Sequence, residues 1–244
     1  MDQKLKTGLL LLIATLTFAQ CTQKNSKEYD TRAIKELDIL SETIGKLNSC
    51  SYTIEVNKHE KSSDDNWQSV TTKHDVYMRG PSKLYIHTNI ESDNKGYWYN
   101  GNQLAYYSYS QNIYDTVSIS GNIIEAIDFT HKKFDIDFPA ADFFYPTFTD
   151  DIINNNDKVY FVGEEKIEES ICFLIQASNK KELINIWIDV STNLPHKLEI
   201  FSNNNRSVYE AQFLNWKINP NLPDEIFNFT PPSNSKKVAL TPKN

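Results

Sequence analysis

From Ile186 to Phe201 the chain reads Ile-Trp-Ile-Asp-Val-Ser-Thr-Asn-Leu-Pro-His-Lys-Leu-Glu-Ile-Phe, the pattern of a strand, a tight turn and a returning strand. Trp187 opens the hairpin, Asp189 and Thr192 fall in the turn, and Leu194-Pro195 begins the return. Side chains two residues apart share a strand face, so a one-residue slip would turn every buried side chain outward. The turn chemistry is what fixes the register. Asp189 is placed to accept hydrogen bonds from the N–H groups of the turn, Thr192 to do so more weakly, and Pro195 to hold Leu194 extended. Asp189, Thr192 and Pro195 are thus expected to form a structural turn, a reading preferred over a catalytic Asp–Thr pair. Lys197 has Glu199 as a neighbouring acid on the return strand.

The rest of the chain repeats this grammar. Tyr52, Ile54 and Val56 alternate with polar residues, as do Val70, Thr72, His74, Val76 and Met78, and then Leu84, Ile86, Thr88 and Ile90. Gly80-Pro81 breaks one run, and Asn100-Gly101 supplies the positive φ angles of a hairpin turn. Further strands are expected at 105–109, 113–119, 159–162, 171–176, 185–189, 194–201 and 208–216, a short extended piece at 226–230 and an edge strand at 238–240. About eleven short strands exceed what one flat sheet holds without curling.

Two segments depart from the period of two. Asp30 or Thr31 can cap a helix to about Asn48 that sets Ile34, Leu37, Leu40, Ile44 and Leu47 on one stripe. Residues 122–133 read as a second helix, and Phe134–Phe148 follows as an aromatic insertion whose Pro139 and Pro146 limit helix to short pieces. A further helical turn is expected at 150–154. The expected fold is α+β: a curled antiparallel sheet, a half-barrel of about eleven strands, with helices on its concave side.

Only 39% of the residues are hydrophobic, yet Tyr 13, Phe 13 and Trp 4 supply large buried areas, so a core is attainable with few aliphatics. A net charge of −7, with no basic run, argues against a nucleic-acid partner, since phosphate neutralisation needs clustered Lys and Arg.

Lys4 and Lys6 followed by the uncharged apolar run Gly8–Phe18 and the small-residue pattern Thr17-Phe18-Ala19 mark residues 1–19 as a signal peptide. Residues 20–29 are a polar tether, and residues 30–240 a single domain. Cys21 stands next to the cleavage point, ahead of a polar run, where a bacterial lipoprotein carries its lipid. Gln20 and Phe18 depart from that pattern, so lipidation at Cys21 and plain secretion both stand.

Cys50 and Cys172 lie in strand-like runs without CxxC spacing, and two buried free thiols are expected ahead of a bridge. His59, His74, His87, His131 and His196 show no metal-binding spacing, and no nucleophile motif or Gly-rich phosphate loop occurs. No metal, cofactor or enzymatic activity is expected, although a metal site assembled across strands would leave no such signature.

Four stretches, in order, resemble an exported bacterial family, domain of unknown function 2092. Tyr97-Trp98-Tyr99-Asn100-Gly101 is similar to its Y-Y-D-G hairpin, and Phe138–Tyr145, with Ala141-Asp142, to its P-A-A-D-L-L segment. Trp187-Ile188-Asp189, Thr192, Leu194-Pro195 and Lys197 resemble W-I-D-x-x-T-x-L-P-x-K, and Phe227–Pro232 resembles F-x-F-x-P-P. Asn193 and Asn234 stand where the family commonly has Gly, and Asn tolerates the left-handed backbone a Gly would adopt. The resemblance implies the half-barrel of the LolA/LolB/RseB group, whose members carry or sense lipoproteins through an apolar cavity. It also implies the envelope of a Gram-negative bacterium, periplasmic or anchored to the outer membrane by a lipid at Cys21.

Trp98, Tyr106, Phe134, Phe138, Phe143 and Phe144 are the expected lining of an apolar cavity between sheet and helices. Such a cavity would take a lipid, a lipoprotein or another hydrophobic ligand. The competing reading is an interaction or scaffold module whose concave side is filled by its own side chains.

Overall fold

The computed structural model describes residues 27–241 except 62, 63, 65, 91–93 and 205. The expected signal peptide, Cys21 and most of the expected tether lie outside these residues. The chain runs β1 (Glu28–Tyr29), α1 (Thr31–Gly45), β2 (Ser49–Lys61), β3 (Trp67–Arg79), β4 (Lys83–Asn89), β5 (Lys95–Tyr99), β6 (Gln103–Ser108) and β7 (Ile113–Ser118). Then come α2 (Ile123–Phe134), a 3₁₀ turn (Ala141–Phe144), α3 (Phe148–Asn155), β8 (Lys158–Ile167), β9 (Ser170–Ser178) and β10 (Glu182–Asp189). The chain finishes with β11 (Pro195–Ser202), β12 (Ser207–Ile218), a 3₁₀ turn (Asp224–Phe227) and β13 (Lys236–Lys237).

All strands belong to one sheet ordered β1-β8-β9-β10-β11-β12-β2-β3-β4-β5-β6-β7-β13. Its thirteen strands curl without closing, and β1 and β13 are the free edges. Pairing is antiparallel except where β1 joins β8 and β13 joins β7. Those two-residue edges account for the excess over about eleven strands, since so short a strand shows no alternation. The last strand forms at Lys236–Lys237 rather than 238–240. Asp224–Phe227, expected in part to be extended, winds into a 3₁₀ turn after Pro223 and buries Phe227.

The Asp30 carboxylate accepts the Arg32 N–H (2.8 Å) and starts α1, whose Ala33, Leu37, Leu40 and Ile44 are buried. At α2, Asn122 and Glu125 cap each other's backbone in a reciprocal box. Alternate residues of the strands meet these helices in one core that includes Tyr52, Ile54, Val76, Leu84, Tyr99, Ile175, Ile186 and Phe213. The helices therefore lie on the concave side.

The 186–201 hairpin folds as its residues dictate. Asp189 Oδ1 accepts the N–H groups of Ser191 (3.0 Å) and Thr192 (2.9 Å) and both their hydroxyls (2.6 and 3.0 Å). Thr192 Oγ1 accepts the Leu194 N–H (3.3 Å), and Asn193 takes φ 57°. Lys197 bonds Glu199 (2.7 Å) and, across to β12, Glu210 (2.8 Å). Between Trp187↔Lys197 and Ile188↔Pro195 the register shifts, leaving His196 as the extra residue of a bulge.

Candidate ligand-binding groove

The concave side is filled at one end and open at the other. Over β2–β5, Tyr52 stacks on Phe144 (5.9 Å between centroids) and Tyr97 meets Phe138 edge-on (5.4 Å). The space left among Tyr52, Val76, Met78, Leu84 and Ile86 is about 10 Å³, no more than a single water needs.

Two cavities of about 590 Å³ each open on either side of residues 140–145, the first over β10 and β11 and the second over β11, β12 and the neighbouring parts of β2 and β3. Both are bounded by Ala140, Asp142, Tyr145, Leu198 and Ile200, so they are the two adjoining compartments of a groove divided by the aromatic insertion. Registers Ile186↔Leu198 and Ile184↔Ile200 put these four aliphatics side by side on the concave face. The bridge is held in place by Tyr145, whose hydroxyl donates to Asp128 of α2 (2.7 Å). Ala140, at φ 52°, makes the turn that brings it down.

The two cavities differ in character. In the first, Ile184, Ile186, Phe143 and Phe148 form the wall, with Asp151, Lys181 and Glu182 at its boundary. The second adds Val56, Tyr209, Thr72 and His74 from the sheet, and Lys58, His131 and Asp137. His74 is buried between two hydroxyls, Thr72 Oγ1 on Nε2 (2.8 Å) and Thr88 Oγ1 on Nδ1 (2.9 Å). Burial, reinforced by Lys58, lowers its pKa to about 4, so it is neutral at pH 7. Burial also raises the Asp142 carboxyl, helped by Asp151 and Asp137. The groove thus offers an apolar wall with few polar groups, the composition of a site for a hydrophobic or amphiphilic ligand.

Of the six aromatics expected to line the cavity, Phe143 and Phe138 do so, one in each compartment. Phe144 is spent filling the core. Tyr106 lies on the concave face opposite Tyr97 (5.4 Å) but borders neither compartment. Phe134 closes the end of α2 against Phe129 (6.0 Å) and also lies outside both. Trp98 points the other way. Its cross-strand partner is Tyr85, between the buried Leu84 and Ile86, so it stands on the convex face. There it stacks on Tyr85 (5.0 Å) and packs against Phe229 (4.9 Å) of the C-terminal segment. Arg79 ties that segment down through the Leu222 carbonyl (2.6 Å) and an ion pair with Asp224.

The residues that the sequence did not single out are Ile184, Ile186, Leu198 and Ile200. Their alternation was visible; where the helices stand off the sheet was not. Cys50 and Cys172 are buried free thiols on opposite faces, Cys50 opposite Met78 on the concave side and Cys172 packed with Leu174 and Trp187 on the convex one. Burial pushes the Cys50 thiol up to about 12 and Cys172 to about 11.

Residues 33–241 match the model of the family described as predicted periplasmic protein, domain of unknown function 2092. The chain belongs to this family. The family's compartment is the one implied by the N-terminal export pattern. No curated protein matches the chain. Among solved structures, an uncharacterized conserved protein from Thermus thermophilus shares the fold at 10% identity and TM-score 0.51, with 85% of this chain and 98% of that one covered. Lipoprotein LppX of Mycobacterium tuberculosis is similar at 12% identity and TM-score 0.48, covering 80% of this chain and 98% of that one. MucB in the MucA/MucB complex of Pseudomonas aeruginosa is similar at 14% identity and TM-score 0.40, covering 80% and 60%. A LolA superfamily protein from Nitrosomonas europaea is similar at 12% identity and TM-score 0.32, covering 81% of this chain and 97% of that one.

Proposed function

We propose that this family member is a non-enzymatic envelope protein that holds a lipid, the acyl chains of a lipoprotein or another hydrophobic ligand in the groove over β10–β12. The observation that carries this reading is the pair of adjoining cavities, about 590 Å³ each, that share Leu198 and Ile200, with Ile184 and Ile186 walling the first. Each lies within the roughly 300–1,000 Å³ range of ligand sites. A protein whose concave side served only as a packed core would fill this space, as Tyr52 and Phe144 do at the other end. Leu198 and Ile200 are only partly buried, although both sit on β11, an interior strand of the sheet. A covering ligand removes that apolar surface from water.

The polar groups of the groove suit binding better than catalysis. His74 is neutral and locked between two threonines, and the histidine at the rim, His131, is paired with Asp137 (2.5 Å).

A fluorophore-labelled fatty acid titrated into detergent-free protein tests the reading. The wild type is expected to bind it, and Ile200→Trp, which fills both compartments, to bind at least about tenfold more weakly, roughly 1.4 kcal/mol, with the fold retained. Equal binding by the folded variant, or none by the wild type, would count against the groove.

A further inference from the structure

On the convex face, at the mouth of the 186–201 hairpin, three side chains converge that no part of the groove uses. Cys172 and Asp189 are direct cross-strand partners of β9 and β10. His196 comes from β11, where the bulge re-aims one side chain relative to a regular strand. A sulfur, a carboxylate oxygen and a ring nitrogen of these residues all lie within 4.8 Å of one another. Cys172 has no exposed surface. His196 Nε2 is buried with no hydrogen-bond partner among the described residues. Buried polar side-chain atoms are ordinarily paired, so an unpartnered ring nitrogen beside a sulfur and a carboxylate calls for a missing ligand.

We propose that Cys172, Asp189 and His196 form a binding site for a zinc-type divalent cation that staples β9, β10 and β11 together. Thiolate, imidazole and carboxylate are the donor set that Zn²⁺ takes, with water left in the fourth position. Bond lengths of about 2.0–2.3 Å place tetrahedral donors roughly 3.5 Å apart. The donors now lie within 4.8 Å of one another, so binding requires their separations to close by at most about 1.3 Å.

The supporting shell is already built. Asp189 is oriented by four bonds on Oδ1 from Ser191 and Thr192. Trp187, Leu174 and Ile167 pack around Cys172 and exclude water from the sulfur side. Trp187 in turn is held by Glu165 (2.8 Å), the cross-strand partner of Cys172 on β8. Outer groups that fix ligand geometry in this way are half of what makes a metal site. A Cys–His–Asp nucleophile is the other chemistry this trio suggests. A sulfur with no exposed surface has no substrate path, and a thiol buried in apolar surroundings is a poor nucleophile.

The test is titration of the metal-stripped full chain with Zn²⁺ by calorimetry and with Co²⁺ by absorption. The expected result is one ion per chain and, with Co²⁺, a thiolate-to-metal charge-transfer band in the near ultraviolet. Cys172→Ser should abolish the band, and His196→Gln should weaken Zn²⁺ binding at least about tenfold, while Cys50→Ser changes neither. Circular dichroism melting of each variant confirms that it is folded; should Cys172→Ser not fold, the His196→Gln titration decides alone. The proposal is overturned if the wild type takes up no Zn²⁺ at micromolar concentration. It is equally overturned if a folded His196→Gln variant binds as tightly as the wild type, or if the Co²⁺ complex lacks the thiolate band.

Discussion

Gly96→Ala gives the sharpest test of the convex face, because its sign should depend on a second residue. A Cβ built on Gly96 would lie 2.1 Å from Trp98 Cη2 and 2.5 Å from Cζ3, far inside van der Waals contact. The indole lies flat across the glycine and is clamped there by Tyr85 at 5.0 Å and Phe229 at 4.9 Å. To admit the methyl group, Trp98 must leave both partners. Each aromatic pair contributes about 0.5–1.5 kcal/mol beyond its buried area, so the substitution should cost about 1–3 kcal/mol. For a chain of this size that lowers Tm by roughly 2–12 °C, at about 2–4 °C per kcal/mol. In a Trp98→Ala background the obstacle is gone. Gly96 takes no left-handed backbone angle, so alanine then restricts only the unfolded chain and should stabilise by about 0.4–1 kcal/mol. Thermal melts of the four proteins, followed by circular dichroism, complete the cycle. An equal loss in both backgrounds would refute the packing of Trp98 over Gly96, and with it the assignment of Trp98 to the convex face.

Two further outcomes rest on single side chains. Asp189→Ala, melted in the presence of a chelator, should lose about 2 kcal/mol, because two turn N–H groups lose their acceptor at about 1 kcal/mol each; an unchanged Tm would mean that the turn does not need its carboxylate. His74 should make stability depend on pH. Its folded pKa of about 4 lies below the ordinary 6.5, so the unfolded chain binds more protons between these values and stability falls as pH drops through that window. The contribution is on the order of 3 kcal/mol. It should be missing from His74→Gln, and parallel stability–pH curves for the two proteins from pH 6.5 to pH 4 would contradict it.

The strands and helices were legible because each carries its own period. Leu37, Leu40 and Ile44 announce α1, and Leu84, Ile86 and Thr88 announce β4 as well as the face it buries. The Asp189 turn was legible for the same reason: its partners are two and three residues away in sequence. The groove was only half legible. Aromatic residues signal burial without saying on which side of a sheet, so Trp98 and Phe143 look alike until the pairing with Tyr85 and the path of residues 138–145 are known. The groove's aliphatic wall was hidden differently. Ile184 and Ile200 have the pattern of any core strand, and they line a cavity only because α3 and residues 140–145 form its opposite wall without packing down onto them. The trio Cys172, Asp189 and His196 is further still from sequence, assembled from three strands by register and by a one-residue bulge.

The central claim is that the groove over β10–β12 holds an apolar molecule. Its most direct test is organic extraction of the exported protein, purified without detergent, followed by mass spectrometry of the extract. A lipid recovered in near-stoichiometric amount from the wild type, and depleted from a folded Leu198→Trp variant, is the predicted result. An extract free of lipid, or the same lipid content in both proteins, would contradict it.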